Sequence, residues 1–266
     1  MMKSAAAFAL LLALVWLTGC SSEHTPSYAL PDNLSLRQYQ GTEQANYVIS
    51  GQYTGQDAPL SISGDITLTW QPNTATTAGI SALQNKTLFT EQWRSNIVNY
   101  PPFFMERTFW QQDNGQLVYA GFRLSAQGEI YWAAPLNGSG PDAGIASLGA
   151  PTPEAPALLS YELWRCNNGV CSEKVANVTE GYQYLGIEKV ETPYAVFDTL
   201  RYQYQLEIVG VASHPELNLR ISGHSWIYPP LGPVKFSWLL FNDQGTTNFS
   251  LGLLTSTNIP LPPPSQ

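Results

Sequence analysis

Apolar and polar residues alternate along much of this chain with a period of two. The clearest case runs from Leu200 to Ile208, where five apolar or aromatic residues share one parity and four polar or charged residues share the other. Successive side chains of a strand point to opposite faces, so this run predicts a half-buried β-strand. The same alternation recurs at 66–70, 217–221 and 234–240, and it predicts further strands there.

Turn residues separate these runs. The sequence Asp113-Asn114-Gly115 lies between TFWQQ and LVYAGFRLS, and NDQG at 242–245 follows the run at 234–240. Both predict hairpin turns between antiparallel strands. One segment, 83–98, has apolar residues at helical spacing, although its portion at 87–90 is equally typical of a strand. The chain is therefore expected to be mostly all-β and to form a curved antiparallel sheet, with a sandwich as the alternative.

The first residues have the order of a secretory signal. Lys3 precedes an apolar run at 5–17, which is shorter than the roughly 20 apolar residues that a membrane-spanning helix needs. The run ends in Leu-Thr-Gly-Cys at 17–20, which resembles the lipobox of bacterial lipoproteins. That resemblance implies removal of residues 1–19 and attachment of a lipid to Cys20. An ordinary signal peptide with a chance cysteine is the alternative.

The mature chain divides into a tether, a body and a tail. Residues 20–46 are polar with scattered prolines and are expected to form a flexible tether, in which Ser21 resembles a signal for outer-membrane sorting. Residues 47–259 are expected to form one β-rich domain. Within it, 135–157 is rich in Pro, Gly and Ala and predicts a long surface excursion, and 260–266 predicts a loose Pro-rich tail. The expected location is the periplasmic face of the outer membrane.

The charge of the mature chain limits the classes of partner that it is expected to bind. Removing residues 1–19, which contain Lys3 and no acidic residue, changes the formal charge from −8 to −9. Such a chain repels phosphate backbones and anionic lipid surfaces, so nucleic acid is not an expected partner. Charged residues make up 12% of the sequence, against about 25% in an average domain, which suits a secreted β-rich protein.

Two cysteines remain in the body of the chain. Cys166 and Cys171 flank a short segment that contains Asn168-Gly169, the strongest short hairpin signal. Cysteines that face each other across a hairpin lie within disulfide reach, and an exported protein meets oxidising conditions, so a structural disulfide is expected. A metal pair or a redox C-x-x-C motif is the alternative, but four residues separate these cysteines and no histidine lies near them in sequence.

Histidine, the usual base of nucleophilic hydrolysis, is scarce. His24 lies in the expected tether, His214 precedes a proline, and His224 is followed by Ser225. Adjacent strand residues point to opposite faces, so His224 and Ser225 are not expected to form a catalytic pair. The histidines are interpreted as loop or surface residues. No catalytic residue, cofactor site or metal site is predicted from the sequence.

Carboxylates and aromatic residues leave two other functions open. Glu188 and Glu191 suggest a glycosidase pair, but their odd spacing places them on opposite faces of a strand. A hydrolase with carboxylates distant in sequence remains an alternative. Of the eight tryptophans, all but Trp16 lie in the mature chain, and they are consistent with a carbohydrate-binding platform of exposed rings. The tryptophans alternate in step with aliphatic residues along the predicted strands, which favours positions in the core.

Two segments in the second half carry a resemblance to a known group. YLGIEKVETP at 184–193 and WIYPPLGPVK at 226–235, with Phe197 and Leu200 between them, resemble a pattern in exported bacterial proteins and lipoproteins. Those proteins resemble the Lol lipoprotein carriers, in which a curved antiparallel sheet forms a half-barrel around a hydrophobic cavity. Two glycines of the pattern are replaced here, one of them by Ala195.

The resemblance implies a half-barrel fold more than an activity. The first hypothesis for function is a membrane-tethered, non-enzymatic periplasmic lipoprotein that binds an apolar ligand or a partner protein in envelope maintenance. The helices that fill a Lol cavity are not evident in this sequence. The excursion at 135–157 is therefore the expected lid, with Leu136, Ile145 and Leu148 able to pack into an apolar opening.

Overall fold

The computed structural model describes residues 25–32, 41–55, 59–72, 86–97, 103–111, 117–125, 127–136, 146–148, 157–167, 170–243 and 245–265. Strands dominate this part of the chain. In order they are β1 (Ser27–Tyr28), β2 (Glu43–Thr54), β3 (Leu60–Pro72), β4 (Leu88–Ile97), β5 (Phe104–Gln111), β6 (Leu117–Arg123), β7 (Tyr131–Pro135), β8 (Ala146–Leu148), β9 (Ala157–Asn167), β10 (Val170–Glu191), β11 (Val196–Gly210), β12 (Leu219–Tyr228), β13 (Gly232–Asn242) and β14 (Gly245–Thr257). A short 3₁₀ helix, Pro215–Leu217, joins β11 to β12.

The strands form one sheet that closes on itself. Hydrogen-bonded neighbours follow the order β11, β10, β9, β7, β6, β5, β4, β3, β2, β14, β13, β12, and β12 pairs again with β11. This ring of 12 strands is antiparallel, which confirms the predicted fold class. Outside the ring, β8 pairs with β6, and β1 pairs with β11 in the parallel direction. The curvature expected of a half-barrel continues here until the barrel is complete, and closure removes the free edges of an open sheet.

The alternation in the sequence places the core inside the ring. In β11 the five residues of one parity from Leu200 to Ile208 are all buried, whereas Gln203, Gln205 and Glu207 are exposed. In the predicted strand at 234–240, Val234, Phe236, Trp238 and Leu240 are buried in the same way. Burial contributes about 25 cal/mol per Å² of apolar surface, so these faces supply the main stabilisation of the fold.

Aromatic side chains fill the interior of the ring. Trp93 of β4 lies 4.9 Å from Trp238 of β13, and Tyr204 of β11 lies 6.3 Å from the same indole, measured between ring centroids. Near one end, Phe103 lies 6.3 Å from Phe249 of β14. Several of these contacts join strands that are not neighbours in the sheet, so the rings meet across the interior. The space in which the resemblance places a hydrophobic cavity is occupied by side chains.

The helical alternative for 83–98 is wrong. Leu88–Ile97 is strand β4, and it pairs with β3 on one side and β5 on the other. Phe89 and Trp93 are four residues apart, and at this spacing two side chains point to the same face in a strand as well as in a helix. The available strand partners decide between the two structures, and a single-sequence pattern contains no information about them.

The ring has two ends, which we call the tether end and the cleft end. The tether end holds the last residues of β7 and β10 and the first residues of β9 and β11, where Glu191 pairs with Val196. The cleft end holds the last residues of β11 and β13 and the first residues of β12, where Leu219 pairs with Asn242. Strand β11 runs from the tether end to the cleft end.

Parts of the predicted tether and tail belong to the fold. Tyr28 in β1 is buried and stacks on Phe197 with 5.2 Å between ring centroids. The backbone N–H of Ser265 donates to the carbonyl oxygen of Ser27 at 2.7 Å. Strand β2 already begins at Glu43, before the expected start of the domain. A buried aromatic ring and backbone partners hold these residues at the tether end.

The excursion predicted at 135–157 contributes a strand to the sheet. Strand β8 pairs with β6, with Leu148 opposite Leu117. Leu136 is 49% exposed, so it does not pack into an opening as the lid prediction requires. Ile145 and most of the excursion lie outside the described residues.

Candidate functional site

A cleft of about 380 Å³ opens at the cleft end of the ring. Four aromatic side chains line it: Tyr53 from β2, Phe103 and Phe104 at the start of β5, and Tyr131 at the start of β7. The 3₁₀ helix and the first residues of β12 complete the wall. The cleft is thus assembled from segments that lie far apart in the sequence and meet because the sheet closes.

Local packing holds the walls of the cleft in place. The backbone N–H of Phe103 donates to Ser95 Oγ at 2.8 Å, and its ring packs near Phe249. On the opposite wall, a Cβ at position 210 would overlap the carbonyl oxygen of His214, so Gly210 permits the close turn that leads into the 3₁₀ helix. Leu217 is buried below this turn. The buried side chain of Leu217 therefore attaches this wall of the cleft to the core.

A chain of charged groups runs along the rim of the cleft. Arg165 lies 2.6 Å from Glu129 and 2.7 Å from Glu173. The two ring nitrogens of His214 lie 2.9 Å from Glu173 and 3.0 Å from Glu216. Glu129 and Glu216 also line the cleft, so these ion pairs hold two of the cleft's carboxylates in place.

His214 has a different environment from the surface position that the sequence suggested. It lies in a loop, as predicted, but its side chain is buried between the two carboxylates. Hydrogen bonds to Glu173 and then to Glu216 raise the pKa of His214 above its ordinary value. The same bonds lower the pKa of Glu173 and of Glu216. The histidine therefore holds these carboxylates in their charged form.

The lining of the cleft is rich in hydrogen-bond acceptors. It contains the carboxylates of Glu129, Glu216 and Asp243, and the described lining includes no lysine or arginine. The amide oxygens of Asn218 and Asn242, which also line the cleft, already accept hydrogen bonds from backbone N–H groups. Ionised carboxylates only accept hydrogen bonds, and aromatic faces attract cations. The cleft is therefore suited to a ligand that presents many N–H or O–H donors.

A second polar group lies inside the ring. Arg107 of β5 contacts Glu91 of β4 at 2.6 Å and Glu180 of β10 at 3.1 Å, and all three side chains are largely buried. Two indoles donate to Glu91, that of Trp93 at 2.9 Å and that of Trp70 at 3.3 Å. Burial acts to lower the pKa of Arg107, but the charge of Glu91 and its neighbours outweighs it and leaves the pKa well above the ordinary value.

Tyrosine hydroxyls complete the shell around Glu180. Tyr182 and Tyr204 donate to its Oε1 at 2.8 and 3.1 Å, and Tyr161 donates to its Oε2 at 3.4 Å. Burial, followed by the charge of Glu180, raises the pKa of Tyr182 and Tyr204. These hydroxyls therefore remain protonated donors.

The interior group cross-links three strands of the ring. Buried carboxylates that face each other would favour the hydrolase alternative, but here Arg107 lies between Glu91 and Glu180 and binds both. None of the three residues lines the cleft. A sequence signal was available, because Arg107 falls in phase with Met105 and Phe109 on an apolar strand face. A charge in such a position indicates a buried partner.

The other residues considered from the sequence are dispersed. Cys166 and Cys171 lie opposite each other on β9 and β10, 3.9 Å apart between Cα atoms, and their sulfurs form a disulfide. Glu188 contacts Arg201 at 3.2 Å, while Glu191 is exposed at the end of β10. Cys20 and His24 lie outside the described residues.

His224 and Ser225 behave as adjacent strand residues should. Ser225 is buried and accepts a hydrogen bond from the indole of Trp238 at 3.1 Å. His224 lies on the other face, 6.0 Å from Trp226 between ring centroids. The two side chains are not brought together, as the sequence predicted.

The tryptophans are mostly core residues. Trp70, Trp93, Trp132, Trp226 and Trp238 are buried, and Trp110 and Trp164 are partly buried. A platform of exposed indoles, which the carbohydrate-binding alternative requires, is thus not found among the described tryptophans. Four aromatic rings line the cleft, and Phe241, at the same end of the ring, is also exposed.

Within the described ranges, no group of three or more His, Cys, Asp or Glu residues is placed to hold a metal ion. In the same part of the chain, no helix is long and apolar enough to cross a membrane.

Comparison with known proteins returns two structures. No family model matches this chain, and no curated protein matches it either. A candidate lipoprotein from Parabacteroides distasonis has 11% identity and a TM-score of 0.41, over 85% of this chain and 100% of its own. A candidate exported protein with a YmcC-like fold from Bacteroides fragilis has 13% identity and a TM-score of 0.37, over 84% and 99%. Both are of the exported or lipoprotein kind that the sequence resemblance named.

Proposed function

We propose that this protein is a non-enzymatic binding protein of the bacterial envelope, anchored to the periplasmic face of the outer membrane by a lipid on Cys20. Its ligand binds in the cleft. The observation that carries this proposal is the placement of the cleft at the end of the ring opposite to the tether. β1, the first described strand after Cys20, pairs with the first residues of β11, at the tether end.

The dimensions of the fold separate the cleft from the membrane. Strand β11 has 15 residues, which span roughly 45 to 50 Å at about 3.3 Å per residue. With a strand tilt of about 40°, the two ends of the ring lie more than about 30 Å apart. The stretch from Cys20 to Ser27 reaches at most about 25 Å. A short tether therefore keeps the tether end near the lipid and directs the cleft into the periplasm.

The chemistry of the cleft favours a donor-rich ligand over the apolar one that the resemblance implied. The interior of the ring is occupied by aromatic side chains, and the accessible space is lined by carboxylates and amides as well as rings. Polyamines and other cations, or polyhydroxyl compounds, present the donors that these groups require. Such groups belong either to a free small molecule or to the surface of an envelope partner.

Saturation-transfer NMR on the mature chain tests this proposal. We expect transfer to spermidine or maltotriose, which probe the cationic and polyhydroxyl classes, and none to glutamate. The double variant Tyr131→Leu/Asp243→Asn should lose the signal, whereas Val209→Ala, at the same end but outside the lining, should keep it. Transfer to glutamate, or a signal that the cleft variant does not reduce, would contradict a donor-rich ligand at this site.

A further inference from the structure

A second depression lies beside the cleft, at the same end of the ring. It has a volume of about 490 Å³ and is lined by residues near the ends of β11, β12 and β13. We call this depression the outer pocket. Four residues line both the cleft and the outer pocket: Asn218, Leu219, Asn242 and Asp243. The cleft and the outer pocket are therefore two parts of one groove that crosses the rim of the ring.

The outer pocket contains two apolar side chains that point away from the core. Val209 of β11 and Phe241 of β13 are 50% and 36% exposed. Val209 follows the buried Ile208, and Phe241 in the same way follows a buried residue, Leu240. Adjacent strand residues point to opposite faces, so both side chains lie on the outer face of the sheet. Exposed apolar residues occur elsewhere on the ring, but these two line a common depression.

An ion pair separates the two apolar residues of the outer pocket. The register places Arg220 of β12 opposite Phe241 on one side and opposite Glu207 on the other. Arg220 and Glu207 contact each other at 2.9 Å. Because its charge is already paired, Arg220 adds its aliphatic stem to the apolar surface between Val209 and Phe241. The outer pocket is therefore suited to an apolar side chain.

The carboxylate that remains available to a cation in this groove is that of Asp243. Glu129 in the cleft is paired with Arg165. Glu216 is paired with His214. Asp243 is exposed and has no ion pair within the part of the chain that the structure describes. Because Asp243 is shared by the cleft and the outer pocket, a cationic group of a ligand is expected to bind where the two meet.

The spacing of these two recognition points fits an extended peptide. Asp243 follows Phe241 by two residues, so their Cα atoms lie at most about 7 Å apart. In an extended peptide, side chains two positions apart share a face and have the same separation. A polyamine supplies the cation but no apolar side chain, and a neutral glycan supplies neither. A peptide supplies both at the required distance.

We propose that the groove binds an extended peptide segment of an envelope protein, with a basic side chain at Asp243 and an apolar side chain two residues away in the outer pocket. This inference rests on the proposed function, because it uses the same cleft, and it selects one class among the donor-rich ligands. The basic side chain and the backbone N–H groups of the peptide are the donors that the acceptors of the cleft require.

NMR titration of the mature chain with capped pentapeptides tests this site. The first peptide has lysine at its second position, leucine at its fourth and glycine elsewhere, and its reversed sequence covers the opposite chain direction. In two further peptides, glutamate replaces the lysine or serine replaces the leucine. Spermidine, which has cationic groups but no side chain, is the reference ligand for the cleft alone. We expect the lysine–leucine peptide to bind several-fold more tightly than the glutamate and serine peptides.

The variant Val209→Ser/Phe241→Ser removes the apolar side chains of the outer pocket. It should lower the affinity for the lysine–leucine peptide several-fold, to that of the lysine–serine peptide, and leave spermidine binding unchanged. Leu60→Ser/Val170→Ser is the matched control, because these residues are 43% and 66% exposed but line neither the cleft nor the outer pocket. Circular dichroism establishes that each variant is folded, and the preference of the wild type for leucine over serine decides the question even if one is not.

Spermidine binding without a preference for leucine, or a preference that Val209→Ser/Phe241→Ser does not reduce, would overturn the peptide site and leave the proposed function intact. Absence of binding by spermidine, maltotriose and every peptide would overturn the proposed function as well. Maltoheptaose is the last ligand of the series. If it binds and loses affinity in the outer-pocket variant while the peptides do not bind, the groove holds a glycan chain and the peptide proposal is wrong.

Discussion

At the residue scale, Arg107 is the side chain on which the interior depends most. Glu91 and Glu180 are both buried, and an unpaired buried charge costs several kcal/mol. The guanidinium neutralises one charge and hydrogen-bonds to both carboxylates, while indoles and tyrosines satisfy the remaining oxygens. The group joins the neighbouring strands β4 and β5 to β10, which meets them only when the ring closes, so it favours one closed register over others.

We predict that Arg107→Met destabilises the fold by about 3 to 5 kcal/mol, because it leaves two carboxylates buried without their cation. Urea unfolding of the mature chain measures the change. Arg94→Met is the matched control, since Arg94 is exposed beside the ring of Phe104, and it should cost less than about 1 kcal/mol. Equal losses for the two variants would show that the interior ion pairs are not the cause.

His214 gives the rim of the cleft a defined pH dependence. Its pKa is raised by hydrogen bonds to Glu173 and Glu216, so its contribution to stability is fully present below about 6.5, its unfolded value, and is lost as pH rises through the folded pKa. The two carboxylates have the opposite pH dependence. Because their pKa values are lowered, their contribution to stability is lost as pH falls through those values. The interaction is therefore strongest at mildly acidic pH.

The corresponding prediction concerns His214→Gln. Its melting temperature should fall below that of the wild type between about pH 5 and 6.5, and the difference should shrink as pH rises further, through the raised pKa of the wild-type histidine. Thermal melts at several pH values measure this. His224→Gln serves as the control, because burial, and then the charge of Arg201, lowers the pKa of His224. A deficit that grows from pH 6 to pH 8 would contradict the assigned role.

At the element scale, the sequence predicts strands better than it predicts their partners. The alternation from Leu200 to Ile208 identified β11 and its buried face, because that pattern is local. The closure of the ring by pairing β12 with β11 is not visible in either strand alone. Arg107 and Glu180 are 73 residues apart. The sequence shows that each is a charged residue on an apolar strand face, but it does not show that they are partners. The cleft was missed for the same reason, since Tyr53, Phe103 and Leu219 come together only in the closed ring.

The hairpin of β9 and β10 allows a prediction at this scale. The disulfide between Cys166 and Cys171 closes a small loop, so replacing both residues with serine should lower the free energy of unfolding by about 2 kcal/mol while the fold is kept. Denaturant unfolding of oxidised wild type and of Cys166→Ser/Cys171→Ser measures the loss. Labelling of both cysteines by a thiol reagent in native, non-reduced protein would contradict the disulfide itself.

At the scale of the whole molecule, closure and tethering act together. A closed sheet has no free edge along its sides, which suits a protein held at high local concentration near other envelope components. Its two ends differ, since the cleft with its carboxylates opens at one end and β1 pairs with β11 at the other. The difference between the two ends defines an orientation relative to the membrane only if the chain is anchored near β1.

The anchor itself is the last prediction. Cys20→Ala should release the protein from the membrane or leave it unprocessed, because the lipid on this residue is the proposed attachment and each buried CH₂ of an acyl chain contributes about 0.8 kcal/mol. Fractionation of cells into membrane and soluble protein, with mass spectrometry of the N-terminus, measures both outcomes. Ser21→Asp is the matched control, since it keeps the lipidated cysteine and should change the membrane that is occupied while the protein stays attached. If Cys20→Ala is processed normally and still fractionates with membranes, the attachment lies elsewhere, and the orientation proposed for the cleft loses its basis.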